Sequence, residues 1–205
     1  MEKNLNPNSA VNDEFMPWPE KHFSIREAKA TDAAAMAKIN AATWRKSYKD
    51  FLPRQLIEGI TPSQKQAEIE DFFAAGEDSQ AIALVAEHKS GEIIAFIMAG
   101  KNRRQDLAYR GEIYNLHVAP AYQHQGIGGF LVYRVSELFK QRNWNTMLVW
   151  VLEQNPSCRF YEKLGGCVIA HDTDEYLGFV APVIAYGWQE LPIEKAPSDR
   201  EEHGS

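Results

Sequence analysis

Three glycines, Gly126, Gly128 and Gly129, crowd into four positions where the stretch APAYQHQGIGGFLVYRVSELFK (119–140) turns from loop into amphipathic helix. Glycine is a costly way to begin a helix unless the backbone must come close to something. A helix start offers unpaired N–H groups and the positive end of the macrodipole, so glycines there let the main chain close on an anion such as phosphate. Two common phosphate loops fail on residue identity. A Walker loop needs a GK pair before Ser or Thr, and a dinucleotide loop needs a glycine where Leu131 stands. What remains is Gln123-x-x-Gly126-x-Gly128. Nearby, His117 carries an imidazole that titrates near neutrality when unperturbed, and it can act as a base or simply pack at a strand end. His117 and His124 have no carboxylate or thiol placed near them, so no metal site is expected. Cys158 and Cys167 lack a CxxC partner and read as small buried apolar side chains, not as a bridge.

Periodic elements surround this loop and must hold it. RGEIYNLHVAP reads as a strand ended by Pro120. From Gly126, an apolar stripe at Ile127, Phe130, Leu131, Val135, Leu138 and Phe139 marks a helix. TMLVWVL is a continuous apolar strand. NPSCRFYEKLGG is a short helix with Asn155 as cap, Pro156 in its first turn and Gly165 or Gly166 as its stop. Upstream, FSIREA is a strand, and Thr31 or Asp32 caps a helix through AAAMAKINAATWRKSY. A second helix starts at Thr61-Pro62, with Gln64 completing a capping box, and stops near Gly76. AIALVAEHKSGEIIAFIMAG is a hairpin about Lys89-Ser90-Gly91, and CVIA and FVAPVIAYGW supply closing strands. The order β-α-α-β-β-β-α-β-α-β-β predicts an α/β (α+β) domain, a mixed sheet with helices packed on it. Strand alternation puts Glu112, Tyr114, Leu116 and Val118 on one face and Ile113, Asn115 and His117 on the other.

Composition narrows the function classes. With 205 residues, 44% hydrophobic and 24% charged, the chain suits one soluble domain with a real core. No apolar run reaches the roughly 18 residues that would suggest a membrane span. MEKNLNPNSAVNDEF lacks an apolar core behind a basic start, so a cytoplasmic protein without a secretory signal is expected. A net charge of -6 argues against a nucleic-acid partner and fits a small or cationic substrate more easily. Residues 1–20 and 192–205 read as flexible tails around a domain at 21–191.

In its context the glycine loop becomes specific. YNLHVAPAYQHQGIGGFLV resembles the strand, loop and helix of the GNAT superfamily of acyl-CoA-dependent N-acetyltransferases. That family's phosphate loop reads Arg or Gln, two free positions, Gly, one free position, then Gly or Ala. Further on, NPSCRFYEKLGG resembles the family's N-x-x-x-x-x-Y-x-x-x-G segment, ATWRKSYKDFLP a first-helix segment and VIAYGW a terminal strand. The resemblance covers residues 22–191. It implies a GNAT fold, with a mixed central sheet of about six to seven strands, a splayed strand pair and about four flanking helices. It also implies direct transfer of the acetyl group of acetyl-CoA, as co-substrate and without a metal, to a primary amine. The expected partners are therefore acetyl-CoA and an amine acceptor; whether the chain forms a homodimer is left open.

Such a transfer makes three demands: the amine must lose a proton, the developing oxyanion needs donors, and the leaving thiolate benefits from a proton. By resemblance, the N–H groups of Gln123, His124, Gln125, Gly126, Ile127, Gly128 and Gly129 hold the pyrophosphate of coenzyme A. Gly129 does not follow from the motif, and close helix packing or contact on the adenosine side are both open. Asn155 bonds the pantetheine arm as well as capping its helix. Leu116, His117 and Val118 lie on the splayed strand, where main-chain N–H groups, that of Val118 included, receive the acetyl carbonyl. Tyr161 is the proton donor. Glu112 stands eleven positions before Gln123, where histone-acetylating members keep a catalytic glutamate, and is the expected base through water. Cys158 precedes Tyr161 by three, but direct transfer needs no nucleophile. Trp44, Tyr48, Tyr109 and Tyr114 are available to an acceptor cleft. The acidic run DTDE at 172–175 reads as a solvated loop. The acceptor is expected to be a small molecule. Acetylation of a protein or peptide is the alternative, as is a non-catalytic acyl-CoA sensor, against which retention of both Tyr161 and the full loop counts.

Overall fold

The computed structural model describes residues 22–75, 80–104, 106–176 and 178–192. Residues 1–20 and 193–205 of the expected tails, and the helix stop at Gly76, lie outside the described residues. The elements run β1 (Phe23–Glu27), α1 (Ala33–Tyr48), α2 (Arg54–Gly59), α3 (Pro62–Ala74), β2 (Ile82–His88), β3 (Ile93–Lys101) and β4 (Gly111–Val118). They continue as α4 (Ile127–Gln141), β5 (Met147–Leu152), α5 (Cys158–Lys163), β6 (Cys167–Tyr176) and β7 (Phe179–Trp188). Seven strands form one sheet in the order β1-β2-β3-β4-β5-β7-β6. It is mixed, because β4 and β5 run parallel while the other pairs are antiparallel.

Local chemistry sets several boundaries. Thr61 Oγ1 accepts the Gln64 amide at 3.2 Å, with Pro62 as the first helical residue of α3. Gly91, at φ 84°, makes the β2–β3 turn, which the His88 amide closes on Glu92 O. Asp32 does not cap α1 with its side chain; that carboxylate takes Arg26 at 2.7 Å and the Lys29 amide at 2.8 Å, at the end of a 3-10 turn. The acidic run is not a loop, since 172–175 lie within β6, an edge strand held by its pairing with β7.

The helices cover both faces of the sheet. The apolar stripe of α4 packs on one face, where Ile127, Phe130, Leu131, Val135 and Phe139 join Ile97, Ile113 and Val149. Gly111 is required there, because a Cβ would stand 2.4 Å from the Phe139 ring. On the other face α1 and α3 cover Val85, Phe96 and Met98, and Trp44 and Tyr48 reach across to Leu152 and Val183. Each large side chain buried in this way contributes about 1.5–3 kcal/mol.

Two irregularities in β4 make the site. Ala99 pairs with Ile113 but Met98 pairs with Asn115, so Tyr114 is an extra residue, a β-bulge. The bulge overturns simple alternation. Ile113, Leu116 and Val118 face α4, whereas Tyr114 packs with the α1 side and His117 meets α1 through Thr43. Glu112 shares the side of Tyr114, since Arg103 touches both. The second irregularity is a splay. β4 and β5 pair from Gly111–Met147 to Ile113–Val149, and that register ends although β4 runs on to Val118 and β5 to Leu152.

Candidate active site

The gap between the diverging strands ends at the glycine loop. After β4, a 3-10 turn at Pro120–Tyr122 leads to His124 and Gly126, both left-handed at φ 63° and 83°. Left-handed residues of this kind gather backbone amides into an anion-binding concavity. The Phe130 amide bonds Gly126 O at 3.1 Å, so by helix geometry the amides of Ile127, Gly128 and Gly129 precede the intrahelical ladder. Gln123, His124, Gln125 and Gly126 form the rim, with His124, Gln125 and Gly126 exposed. Gly128 faces Phe160 and Val118, where a Cβ would sit 3.4 and 3.7 Å away. Gly129, in the first turn of α4, is buried.

Main-chain direction along the gap follows from one bond. The Ala119 amide donates to Ile94 O on β3 at 2.8 Å, so alternation turns the main chain of Val118 and Leu116 away from β3, into the gap, and that of His117 toward β3. The carbonyl of Val118 is taken by Gln123 Nε2 at 3.2 Å.

On the far wall, the Asn155 side chain accepts the Ser157 amide at 2.9 Å and donates from Nδ2 to the Tyr48 hydroxyl at 2.6 Å. It therefore caps the turn into α5 and bolts that turn to α1. Tyr161 is 6% exposed, with its ring stacked on Tyr186 at 6.1 Å and edge-on to Trp188. Burial first, then Tyr48 and Cys158, push its hydroxyl well above the usual tyrosine value, so it stays protonated. Burial likewise raises the Cys158 thiol, whose Sγ lies near the carbonyls of Leu152 and Glu153. It is not an activated nucleophile. Cys158 and Cys167 are both free thiols, but neither is fully buried as expected: Cys158 is half-buried and Cys167 is exposed. An open cavity of about 590 Å³ adjoins α5, lined by Glu153, Asn155, Cys158, Arg159, Glu162 and Tyr186.

Glu112, expected as the base through water, is 1% exposed and takes the Arg103 amide at 2.9 Å, Arg103 Nε at 3.1 Å and Arg103 Nη2. A carboxylate so occupied has little left for a water relay. Its evident work is to anchor the β3–β4 loop, and Arg103 in turn lies over the Tyr114 ring at 4.3 Å.

His117 is half-buried against Phe96, with Nδ1 2.6 Å from Thr43 Oγ1. Burial, and then Lys65, push its pKa down to about 3 from the usual 6.5. The unfolded chain therefore binds a proton between those values that the folded chain refuses, and stability falls as pH drops from 6.5 toward 3. Urea midpoints for His117→Gln are expected to decline less steeply than wild type across that window. Equal slopes would remove His117 as a cause.

The α1 side of the gap is roofed by contacts that cross it. Trp44 packs on Tyr48 and Tyr176 at 4.4 and 5.4 Å, and Arg104 lies 4.3 Å over Trp150 while pairing with Asp172 of β6. Two buried polar atoms among the described residues lack a partner, Trp150 Nε1 and Asn40 Oδ1. Asn40 stands three and four residues before Thr43 and Trp44, on the same side of α1. Of the aromatics expected here, Tyr109 instead covers Gly187.

Thr43, Lys46, Arg103 and Arg104 have no signature in the sequence. Among the described residues no three His, Cys, Asp or Glu side chains group to hold a metal, and no helix is long and apolar enough to cross a membrane.

Similar proteins carry the same architecture. The chain is 29% identical over 177 residues to the uncharacterized N-acetyltransferase YuaI of Bacillus subtilis, covering 86% of this chain and 99% of that one. Its fold matches the PaiA N-acetyltransferase of Thermoplasma acidophilum, solved with coenzyme A, at a TM-score of 0.65 and 20% identity, over 81% of this chain and 99% of that chain. It matches YncA of Salmonella typhimurium, a putative acetyltransferase solved with acetyl-CoA, at 0.60 and 20% identity, over 85% and 97%. The acetyltransferase (GNAT) family profile fits residues 35–166, more than half the chain, with the splayed strands and glycine-started helix inside it. The chain belongs to the GNAT family and is an acetyl-CoA-dependent acyltransferase.

Proposed function

We propose that the protein acetylates a primary amine of a small molecule by direct transfer, with both substrates bound together. The observation that carries the small acceptor is the roof over the α1 side. Trp44 meets Tyr176, and Arg104 meets Asp172, so the gap is bridged where a peptide chain would have to lie across it. Aromatic faces with Asp174 at hand suit an amine that arrives as a cation.

In this reading the amine nitrogen, once deprotonated, attacks the thioester carbonyl. A C–N bond forms, the C–S bond breaks, and Tyr161 gives its proton to the departing sulfur before solvent restores it. Backbone amides facing the gap near Leu116 and Val118 stabilise the oxyanion. The amine proton leaves to water. Glu112 is not assigned that step, because Arg103 occupies it. The pyrophosphate of the co-substrate lies on the amides of 123–129, with Asn155 against the pantetheine arm. The described residues fit such a ligand through the left-handed Gly126 and the amides preceding the α4 ladder.

A thiol-release screen over polyamines, amino acids, aminoglycosides and peptides tests the acceptor. Turnover concentrated among small amines is expected, and turnover confined to peptides would overturn the small-molecule reading. For the loop, Gly126→Asp adds a side chain at φ 83° and a negative charge at the helix start, so the Kd for CoA is expected to rise more than about tenfold by titration calorimetry. Undiminished CoA affinity would count against the phosphate site.

A further inference from the structure

Residues 119–129 of the β4–α4 loop include neither lysine nor arginine to meet a dianionic diphosphate, and their one basic side chain is that of His124. A helix terminus supplies only about half a positive charge. A lysine reaches the loop from another element. Lys46, near the end of α1, donates from Nζ to Gln123 Oε1 at 2.9 Å, across 77 positions of sequence. α1 also packs against the Pro120–Tyr122 turn that opens the loop. Resting on the loop reading above, we propose that Lys46 is the cation of the coenzyme A pyrophosphate site, held at the loop by Gln123 until the diphosphate arrives.

The chemistry of the contact supports this assignment. Gln123 Oε1 is a neutral acceptor and satisfies one of three ammonium hydrogens, so Lys46 keeps donors to offer. Gln123 is itself fixed, because its Nε2 donates to the carbonyl of Val118 at the end of β4. The ammonium is thus presented at the loop by a side chain anchored to the splayed strand. A phosphate oxygen is a stronger partner than an amide oxygen for the same ammonium, and Lys46 is exposed and free to turn toward it.

The test uses Lys46→Met, which keeps most of the stem, and Lys46→Arg, with three ligands: CoA, dephospho-CoA and S-acetyl-pantetheine, which lacks the diphosphate. The Kd of Lys46→Met for CoA and for dephospho-CoA is expected to rise about 10–30-fold, with more than half of the loss (in log Kd) restored by Lys46→Arg. Turnover of S-acetyl-pantetheine is expected to stay within about twofold of wild type. Unchanged CoA affinity overturns the proposal. Equal loss on S-acetyl-pantetheine also overturns it, by making Lys46 a brace for α1 alone. A loss confined to CoA and absent with dephospho-CoA moves the contact to the 3′-phosphate and overturns the pyrophosphate assignment. Gly126→Asp separates the two layers: if it weakens CoA while Lys46→Met does not, the loop reading survives and the Lys46 proposal fails. If neither weakens CoA, both fail.

Discussion

Tyr161→Phe is expected to lower kcat by about 10²–10³-fold while the Kd for acetyl-CoA stays within about twofold of wild type. The substitution removes one oxygen and keeps the ring that Tyr186, Trp188 and Phe160 surround. Thermal stability should therefore hold, and the loss should fall on the chemical step. The pH profile adds a second readout. Burial raises the hydroxyl above the ordinary tyrosine range, so a proton donor remains at alkaline pH where an exposed tyrosine would already have lost its proton. Wild-type kcat should show no descending limb near pH 10, the ordinary tyrosine value. Steady-state thiol release measured from neutral to alkaline pH checks both statements. A Phe variant with full kcat would falsify the acid role.

Much of this site was legible because its signals are local. Gln123, Gly126 and Gly128 announce themselves by spacing, and α1 and β7 follow periodicity to the residues at which they start and stop, Ala33–Tyr48 and Phe179–Trp188. What was hidden depends on partners distant in sequence. The bulge at Tyr114 exists only as a mismatch with Met98 and Ala99 on β3, and no pattern within YNLHV records it. Without it, alternation misplaces Leu116 and Val118 relative to Glu112. β6 continues through Asp172–Glu175 because β7 supplies the ladder, although those side chains are polar and exposed. α2 is six residues long and buries only Leu56 and Ile57, too little to show a helical period. Glu112 illustrates the same limit chemically. Its position matches a family pattern, but its partner, Arg103, comes from a loop that folds back nine residues earlier.

That ion pair leads to the other large effect, on stability more than on catalysis. Arg103→Met leaves a carboxylate 1% exposed with the Arg103 amide as its remaining donor from that residue. Stranding a buried charge costs about 3–5 kcal/mol when the pair is enclosed. Arg103 keeps 63% of its side chain exposed, so its Coulombic part is screened and a value at or just below the low end of that range, about 2–3 kcal/mol, is the better expectation. For a domain of this size the melting temperature should fall on the order of 5–12 °C. Glu112→Gln keeps an acceptor for the Arg103 amide and should cost less, about 1–2 kcal/mol, with kcat per folded molecule within about tenfold of wild type. A base at Glu112 predicts the opposite: Glu112→Gln would melt like wild type and lose kcat by about 10²-fold or more. The double variant Arg103→Met, Glu112→Leu removes both charges and should recover most of what Arg103→Met loses. Recovery of stability without recovery of a lost kcat would return Glu112 to the chemistry, whereas joint recovery assigns it to the loop that Arg103 closes beside the acceptor wall.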